Sequence, residues 1–432
     1  MSIWTERIEP EAISAVVRRA LKAGHLGPDA PAFIAHDLGR LSARLGHLKA
    51  CFPANTLHAV AIKANPLVEV MRALVEGGAG LEAASRGEVQ LALAAGCPPE
   101  RIVYDSPAKS EADLEAALRL GIHINADNAE ELRRIARLRE GTPSHGTLGI
   151  RVNPLVGEGR IALTSVSGRA SRFGIPCDED SLHALLSQYP WLTALHIHVG
   201  SQGCPMELLV SAVRKLHELV KTLNHRLGRE QVRVLDIGGG LPATYTDTAP
   251  APEVEAYVAA LRSEVPGLFD GSVRLVTELG RSLQVGCGWA VSRVEYVKEL
   301  PESRVAVVHL GADFMLRTAY HPKDWPHEFA VLDREGRLKV EGARSPWTVA
   351  GPLCFAGDVI GRDVPLPAME PGDLLVLRDT GGYTLGMWSR YCSREMPAVL
   401  GYSGESLHVL RERESPEELV AFWQAGPRAR QG

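Results

Sequence analysis

Lys63 closes an apolar run, Ala59-Val60-Ala61-Ile62, and is followed by Ala64 and Asn65. Partial desolvation lowers the pKa of a lysine and frees its amine for Schiff-base chemistry. The competing reading is a strand-end lysine paired with a carboxylate. Downstream, His196-Ile197-His198-Val199-Gly200-Ser201 sets two imidazoles two residues apart, which puts both on one face of an extended chain. Such a pair invites a metal ion. The later strands, however, end in glycines and a glutamate rather than in further His and Asp ligands, so no metal is expected. His196 reads as a hydrogen-bonded core histidine, and His198, at the end of the run, as the functional one.

Asp236-Ile237-Gly238-Gly239-Gly240 can present successive backbone N–H groups to an anion with no side chain in the way. That suits a phosphate, although tight strand-to-helix turns also use glycine for steric reasons alone. Glu278-Leu279-Gly280-Arg281 then offers a carboxylate and a guanidinium three residues apart. The arginine can complete an anion site and the glutamate can pair with a protonated ring nitrogen; a local salt bridge is the plainer alternative. An amine for a Schiff base, a phosphate cradle, a histidine ring to stack and a carboxylate for a pyridinium together describe pyridoxal 5'-phosphate.

These residues need elements to hold them. Eight short aliphatic or β-branched runs, at 57–64, 81–85, 102–107, 122–127, 148–154, 194–200, 232–238 and 274–279, alternate with segments of helical periodicity. Ser110 and Asp113, like Asn128 and Glu131, have capping-box spacing, and Gly77-Gly78, Gly96 and Gly121 stand where helices stop. Strict alternation predicts parallel strands with crossover helices. Lys63, Ser85, Asp127, Asn153, His198, Gly238–Gly240 and Glu278 all fall at or just past strand ends, which in a (β/α)8 TIM barrel share one mouth; a doubly wound open sheet is the competing architecture. After residue 300 short runs punctuated by Pro and Gly predict a C-terminal, mostly antiparallel β domain. The expected division is therefore an α/β barrel over 33–300 and a β domain over 301–432, with residues 1–32 packing on the latter and a frayed tail from Ala425 to Gly432.

Composition excludes several other classes. With 47 basic and 52 acidic residues, a net charge of −5 and 45% hydrophobic content, the chain is an ordinary globular one. It has no overall electrostatic footprint for nucleic acid. Seven scattered cysteines without a Cys-x-x-Cys pair argue for free thiols rather than a disulfide framework or zinc ribbon. Neither a signal-like apolar N-terminus nor an apolar run of about 20 residues is present, so no membrane association and a cytoplasmic location are expected.

With these residues in order, the chain resembles the group IV pyridoxal phosphate decarboxylases of alanine-racemase fold (fold type III), the ornithine and diaminopimelate decarboxylase family, from about Ala32 to Gly401. The details are most similar to diaminopimelate decarboxylases: His198-Val199-Gly200-Ser201-Gln202, Ser171-Arg172-Phe173-Gly174-Ile175, Ile124-Asn125-Ala126-Asp127 and Gly351-Pro352-Leu353-Cys354. The resemblance implies that Lys63 carries the cofactor, His198 stacks on its ring and Glu278 pairs with the pyridinium nitrogen. It implies that Ser201, Gly238, Gly239, Gly240, Gly280, Arg281 and Tyr383 hold the phosphate or its neighbourhood. Cys354 is implied to reach the other subunit's site and reprotonate the carbanion, hence a homodimer with shared active sites; a buried structural thiol is the alternative. Arg281, Arg317, Tyr320, Phe355 and Tyr383 are implied to bind substrate, Arg317 and Tyr320 because they roughly match, one residue short in spacing, the Arg and Tyr that bind a distal carboxylate in diaminopimelate decarboxylases.

The chain also departs from that pattern. Leu279 stands where the family usually has Pro, and Glu82 where it has Asp. Phe355 follows Cys354 where ornithine decarboxylases carry Asp and diaminopimelate decarboxylases Glu, acids that contact a distal ammonium. Trp388 and Arg390 stand where small or amide residues are usual. The expectation is an amino-acid decarboxylase whose pocket is altered at Phe355 and Trp388 for a non-standard biosynthetic substrate, with the diaminopimelate decarboxylase of lysine biosynthesis as the alternative. A pyridoxal-dependent racemase, a non-catalytic decarboxylase-like regulator and a metal-dependent hydrolase using His196 and His198 are further alternatives. A carrier-bound substrate is compatible with the sequence but not indicated by it.

Overall fold

The computed structural model describes residues 2–142, 144–301 and 303–424, so the tail expected at Ala425–Gly432 lies outside the described residues. The chain divides into two compact units. One comprises Leu41–Thr244 and Ala249–Gln284 with Met1–Glu6; the other comprises Arg7–Arg40, Tyr245–Thr248 and Val285–Gly432.

In the first unit eight short parallel strands form in sequence order: Leu57–Ala61, Gly80–Ala83, Ile102–Asp105, His123–Ala126, Leu148–Asn153, Ala194–His196, Val234–Asp236 and Arg274–Thr277. Each pairs with the next, and Val276 of the eighth lies opposite Leu57 of the first, which closes the barrel. Each strand overlaps one of the eight apolar runs. They are nearly continuous in apolar character because a parallel sheet is covered on both faces; Leu57, Ala59, Val103 and Val276, for instance, form one buried cluster.

The crossover helices begin where side chains take up their free N–H groups. Ser85 accepts from the Glu88 N–H, and Ser110 and Asp113 form a reciprocal capping box. At Asn128 the cap forms, but the Glu131 carboxylate takes the N–H of Asp127 instead of that of Asn128. Gly121 ends its helix at φ 71°, in the left-handed region that L residues avoid.

The second unit holds a nine-stranded sheet. Its main path runs through Val359–Leu366, Ser345–Ala350, Arg304–Val308, Gly288–Glu299, Ala32–Asp37, Ala398–Ser403 and Ser406–Arg411, with Phe329–Leu332 and Leu374–Leu377 branching from Gly288–Glu299. All pairings are antiparallel except Ala32–Asp37 with Ala398–Ser403 and Arg304–Val308 with Ser345–Ala350. Helix Pro10–Lys22 starts on a proline, whose missing N–H costs nothing there. Its Ile13, Val16, Val17 and Ala20, at three- and four-residue spacing, pack with Phe33, Trp289, Val376 and Leu400 in one buried core.

The expected 33–300 barrel is thus too long at both ends. Ala32–Asp37 and Gly288–Glu299 are strands, but they pair with each other, Ala32 opposite Ser292, in the antiparallel sheet. Their apolar patterns announce buried strands and say nothing of the partner, which lies some 250 residues away in sequence.

Candidate active site

The first strand delivers Lys63 in a 3-10 turn, Ile62–Ala64, immediately after its last paired residue. The flanking Ile62 and Ala64 are buried, whereas the lysine side chain is 40% exposed, and Nζ donates to Glu82 Oε2 at 2.6 Å. Glu82, on the second strand, is wholly buried and its Oε1 has no hydrogen-bond partner. Burial pushes its pKa up despite the pull of Lys63. The strand-end pairing considered from sequence is therefore present, with a carboxylate disposed to take a proton.

Below this pair, the strands carry charges into the barrel interior. His196 is completely buried; its Nε2 lies 3.3 Å from Asp105 Oδ2, and its Nδ1 lies 3.1 Å from Asp236 Oδ2 and 3.9 Å from Glu278 Oε1. These are ion-pair separations without hydrogen-bond geometry. Arg151 Nη1 donates to Asp105 Oδ2 at 2.8 Å, and the Asn125 amide donates to Asp236 Oδ2 at 3.1 Å. Burial alone would lower the His196 pKa, but Asp236, Glu278 and Asp105 raise it well above the ordinary value. Burial likewise pushes Asp105 and Asp236 upward; Arg151 with His196 holds the first, and His196 with His123 the second, below the carboxylate range. Two anions and two cations then balance. Glu278, 4% exposed, is left over, and burial with the adjacent Asp236 drives its pKa well above the usual range. Its Oε1 has no hydrogen-bond partner.

The glycine turn lies over this cluster. Gly238 N–H donates to Asp236 Oδ1 at 3.0 Å, and Gly239 N–H donates to His198 Nδ1 at 3.3 Å. His198 is thereby fixed with Nδ1 as acceptor. Burial, with Arg151, Lys63 and His196 nearby, keeps its pKa well below the ordinary value, so the ring is neutral. Gly238 and Gly240 have φ of 65° and 115°. A Cβ on Gly238 would stand 2.3 Å from Ile197 O, and one on Gly239 2.4 Å from Glu278 O, so the backbone approach is possible only for glycine. Arg281 Nε donates to Ser201 Oγ at 2.9 Å, joining the two other residues assigned to the anion site. Gly280 lets the chain pass Ala61 and Ala64 with only 3.0–3.1 Å for a would-be Cβ.

In the first unit, then, Lys63, His198, Ser201, Gly238–Gly240, Glu278, Gly280 and Arg281 stand on or just past the ends of the first, sixth, seventh and eighth strands. Asp105, His196 and Glu278 also offer one donor atom each within 4.8 Å of one another. His198 is not part of that trio, so the His-x-His pair is not a chelate. Asp105 already accepts from the Arg151 guanidinium at 2.8 Å, so a metal ion would have to compete with that bond.

The remaining expected residues belong to the second unit. Cys354 is exposed, contrary to the structural-thiol alternative, and none of the seven cysteines is disulfide-bonded. Tyr383 has a left-handed φ of 61°. The Arg317 guanidinium lies 4.8 Å from the Tyr383 ring and 4.7 Å from that of Trp325. Tyr320 stacks on Phe355 instead. Trp388 packs on Phe314, and Arg390 makes two bonds to Glu414, at 2.7 and 2.6 Å. Arg390 is a structural strut. Sequence reasoning missed Asp105, Arg151 and Tyr391. The first two had a usable signal: a charge inside a short barrel strand is costly unless paired, so each demanded a partner.

Residues 38–285 match the family described as "Pyridoxal-dependent decarboxylase, pyridoxal binding domain". The chain belongs to this family. Among its relatives, the diaminopimelate decarboxylase of Pseudomonas aeruginosa is 33% identical over 366 residues, 84% of this chain and 85% of the relative. That of Helicobacter pylori strain J99 is 28% identical over 394 residues, covering 90% and 94%. In structure, the Helicobacter pylori diaminopimelate decarboxylase complexed with L-lysine superimposes with a TM-score of 0.83 at 26% identity, over 94% of this chain and 99% of that one. The lysine/ornithine decarboxylase of Vibrio vulnificus shares the fold, with a TM-score of 0.74 at 22% identity over 89% and 98%.

The family's cofactor is pyridoxal 5'-phosphate, and this pyridoxal-dependent decarboxylase is a carboxy-lyase. Its own residues fit that group. A buried glutamate has an oxygen without a partner, a glycine turn excludes every side chain, and a lysine amine stands beside a proton acceptor. Among the described residues no helix is long and apolar enough to cross a membrane.

Proposed function

We propose that the protein removes the α-carboxylate of a free amino acid with a long side chain, working as a homodimer in which Cys354 serves the site of the partner subunit. The observation that carries this reading is the buried Glu278 carboxyl, whose Oε1 has no hydrogen-bond partner, beside the His196 cluster. When bound, the cofactor supplies the sink for the electrons left by departing CO2. Lys63 binds it covalently, and the amine becomes nucleophilic by passing a proton from Nζ to Glu82 Oε2. Glu278 holds a proton at its carboxyl for the ring nitrogen. His198, neutral and fixed at Nδ1, orients the ring by offering a flat face. The Gly240 N–H, at the end of the Gly238–Gly240 turn, binds the phosphate with Arg281 and Ser201. The exposed Cys354 thiol returns one proton from Sγ to the α-carbon after CO2 has left. Arg317 and Tyr383 face one another in the second unit and contact the substrate.

In this reading the pocket is altered at Phe355 and at Trp388, which packs on Phe314. Diaminopimelate itself is the second reading, supported by the relatives that bear that name. CO2 release from the cofactor-loaded full chain distinguishes them, with meso-diaminopimelate, L-ornithine, L-lysine and L-arginine as substrates and Lys63→Ala as the blank. Efficient turnover of meso-diaminopimelate ends the altered-pocket reading, and silence of the blank supports the decarboxylase.

A further inference from the structure

The second unit contains a cavity of about 240 Å³ walled by Leu316, Tyr320, Leu353, Phe355 and Tyr391, with Ser389 on its lining. None of the lining residues carries a charge. Phe355 is its centrepiece. The Tyr320 ring lies nearly parallel to it, at 21° and 6.3 Å between centroids, and the Tyr391 ring stands perpendicular, at 87° and 5.8 Å. These are offset-stacked and edge-to-face contacts of favourable geometry. They leave Phe355 and Tyr320 turned towards each other rather than converging on a centre, so the rings do not form a cage for a cation.

The cavity is held in shape from behind. The Asp358 carboxylate, almost completely buried, accepts the N–H of Ala312 at 2.6 Å and that of Leu353 at 2.5 Å. Gly311 and Gly351 cross there so closely that a Cβ on either would meet Asp358 at 2.2–2.4 Å. The Leu353-Cys354-Phe355 turn is therefore fixed against the segment that leads into helix Leu316–Tyr320. The nearest arginines in sequence are engaged elsewhere, Arg390 with Glu414 and Arg317 with the rings of Trp325 and Tyr383.

We propose that this cavity receives the far end of the substrate side chain and that this end is uncharged and apolar, an aryl or branched-alkyl group. An ammonium or carboxylate entering it would give up part of its hydration without gaining a counter-charge. An apolar cavity of about 150 Å³ suffices for a benzene ring, so the volume here admits an aryl group with part of its tether. The inference rests on the proposed decarboxylase reading, with the exposed Cys354 thiol beside Phe355 marking the cavity as part of the reacting site.

The test uses the cofactor-loaded full chain at neutral pH, with both enantiomers of lysine, norleucine and homophenylalanine, and meso-diaminopimelate. CO2 release and the change in visible absorbance of the bound cofactor are both read. Wild type is expected to favour norleucine and homophenylalanine over lysine by tenfold or more in kcat/KM. Phe355→Glu should reverse the order, and Phe355→Leu, which keeps the pocket uncharged, should retain it; cofactor content and near-UV circular dichroism show that each variant is folded. A wild-type preference for lysine or diaminopimelate overturns the inference and leaves the decarboxylase reading intact. If no amino acid releases CO2, the decarboxylase reading fails. The absorbance titrations then decide the pocket: tighter binding of the neutral ligands supports it, and equal or weaker binding refutes it.

Discussion

Replacing Gly239 by alanine sets a methyl carbon 2.4 Å from the carbonyl oxygen of Glu278, 3.1 Å from its carbonyl carbon and 3.6 Å from the nitrogen of Leu279. The φ of Gly239 is one that alanine can adopt, so collision is the only perturbation. Ordinary contact begins near 3.4 Å, and 3.4 − 2.4 leaves 1.0 Å to be found by moving one backbone away from the other. The Glu278 carbonyl cannot retreat alone, because the Glu278 N–H is bonded to Gly238 O at 2.8 Å. The Glu278 carboxyl must therefore move relative to His196 and to the ring nitrogen it serves. A misplacement of about 1 Å costs on the order of 100-fold in rate, equivalent to about 2.7 kcal/mol. The assay is kcat for CO2 release at saturating cofactor, with the cofactor dissociation constant from absorbance. Gly46→Ala is the control: it lies in helix Leu38–Cys51 with no atom within 4 Å of the added carbon. It should leave activity unchanged and stabilise the fold by roughly 0.5–1 kcal/mol. A Gly239→Ala enzyme within threefold of wild type in both quantities would refute the assignment of this turn and of Glu278.

Other consequences can be measured separately. Glu82→Gln keeps the shape but removes the acceptor 2.6 Å from Lys63 Nζ; kcat should fall about 100-fold with cofactor content unchanged, and an unaltered kcat would dismiss Glu82 as the proton acceptor. His58, buried and beside Thr277, has its pKa lowered to about 4 by burial, then by Lys49. The unfolded chain thus takes up a proton between pH 6.5 and 4 that the folded chain refuses, and stability drops with falling pH by about 1.4 kcal/mol per unit from this residue. Urea unfolding of His58→Gln should show a shallower acid loss than wild type, and parallel curves would contradict the assignment. Arg390→Ala strips both bonds from the buried Glu414 and should cost about 2 kcal/mol in the same experiment; a change below 0.5 kcal/mol would show that the pair is not a strut.

How much of this was legible in sequence follows from what each feature depends on. The eight barrel strands could be read because every one is a local apolar run bounded by turn residues. Their ends could not: the 57–64 and 194–200 runs outlast the strands Leu57–Ala61 and Ala194–His196. Apolar composition continues past the last ladder bond because the turns carrying Lys63 and His198 are themselves packed in the barrel. Lys63, His198, the glycines and Glu278 were visible for the same local reason. The charge-balanced cluster was not, since Asp105, Arg151, His196 and Asp236 come from four strands that meet only when the barrel closes. A strand pattern does not name its partner, so Ala32–Asp37 falls largely within the expected barrel range yet pairs in the antiparallel sheet. The wall formed by Tyr320, Phe355 and Tyr391 joins residues 35 and 36 apart in sequence. Only tertiary packing reveals that Phe355 has aromatic neighbours rather than a charged one.

The central claim is that the cofactor is held at the barrel mouth on Lys63. Borohydride reduction of the cofactor-loaded protein fixes the cofactor to the amine that binds it, and peptide mass mapping then identifies that amine. The account predicts the added pyridoxyl phosphate mass on the peptide containing Lys63 and nowhere else, with loss of CO2 release in proportion. Labelling of another lysine, such as Lys109 or Lys215, or of none, would contradict it.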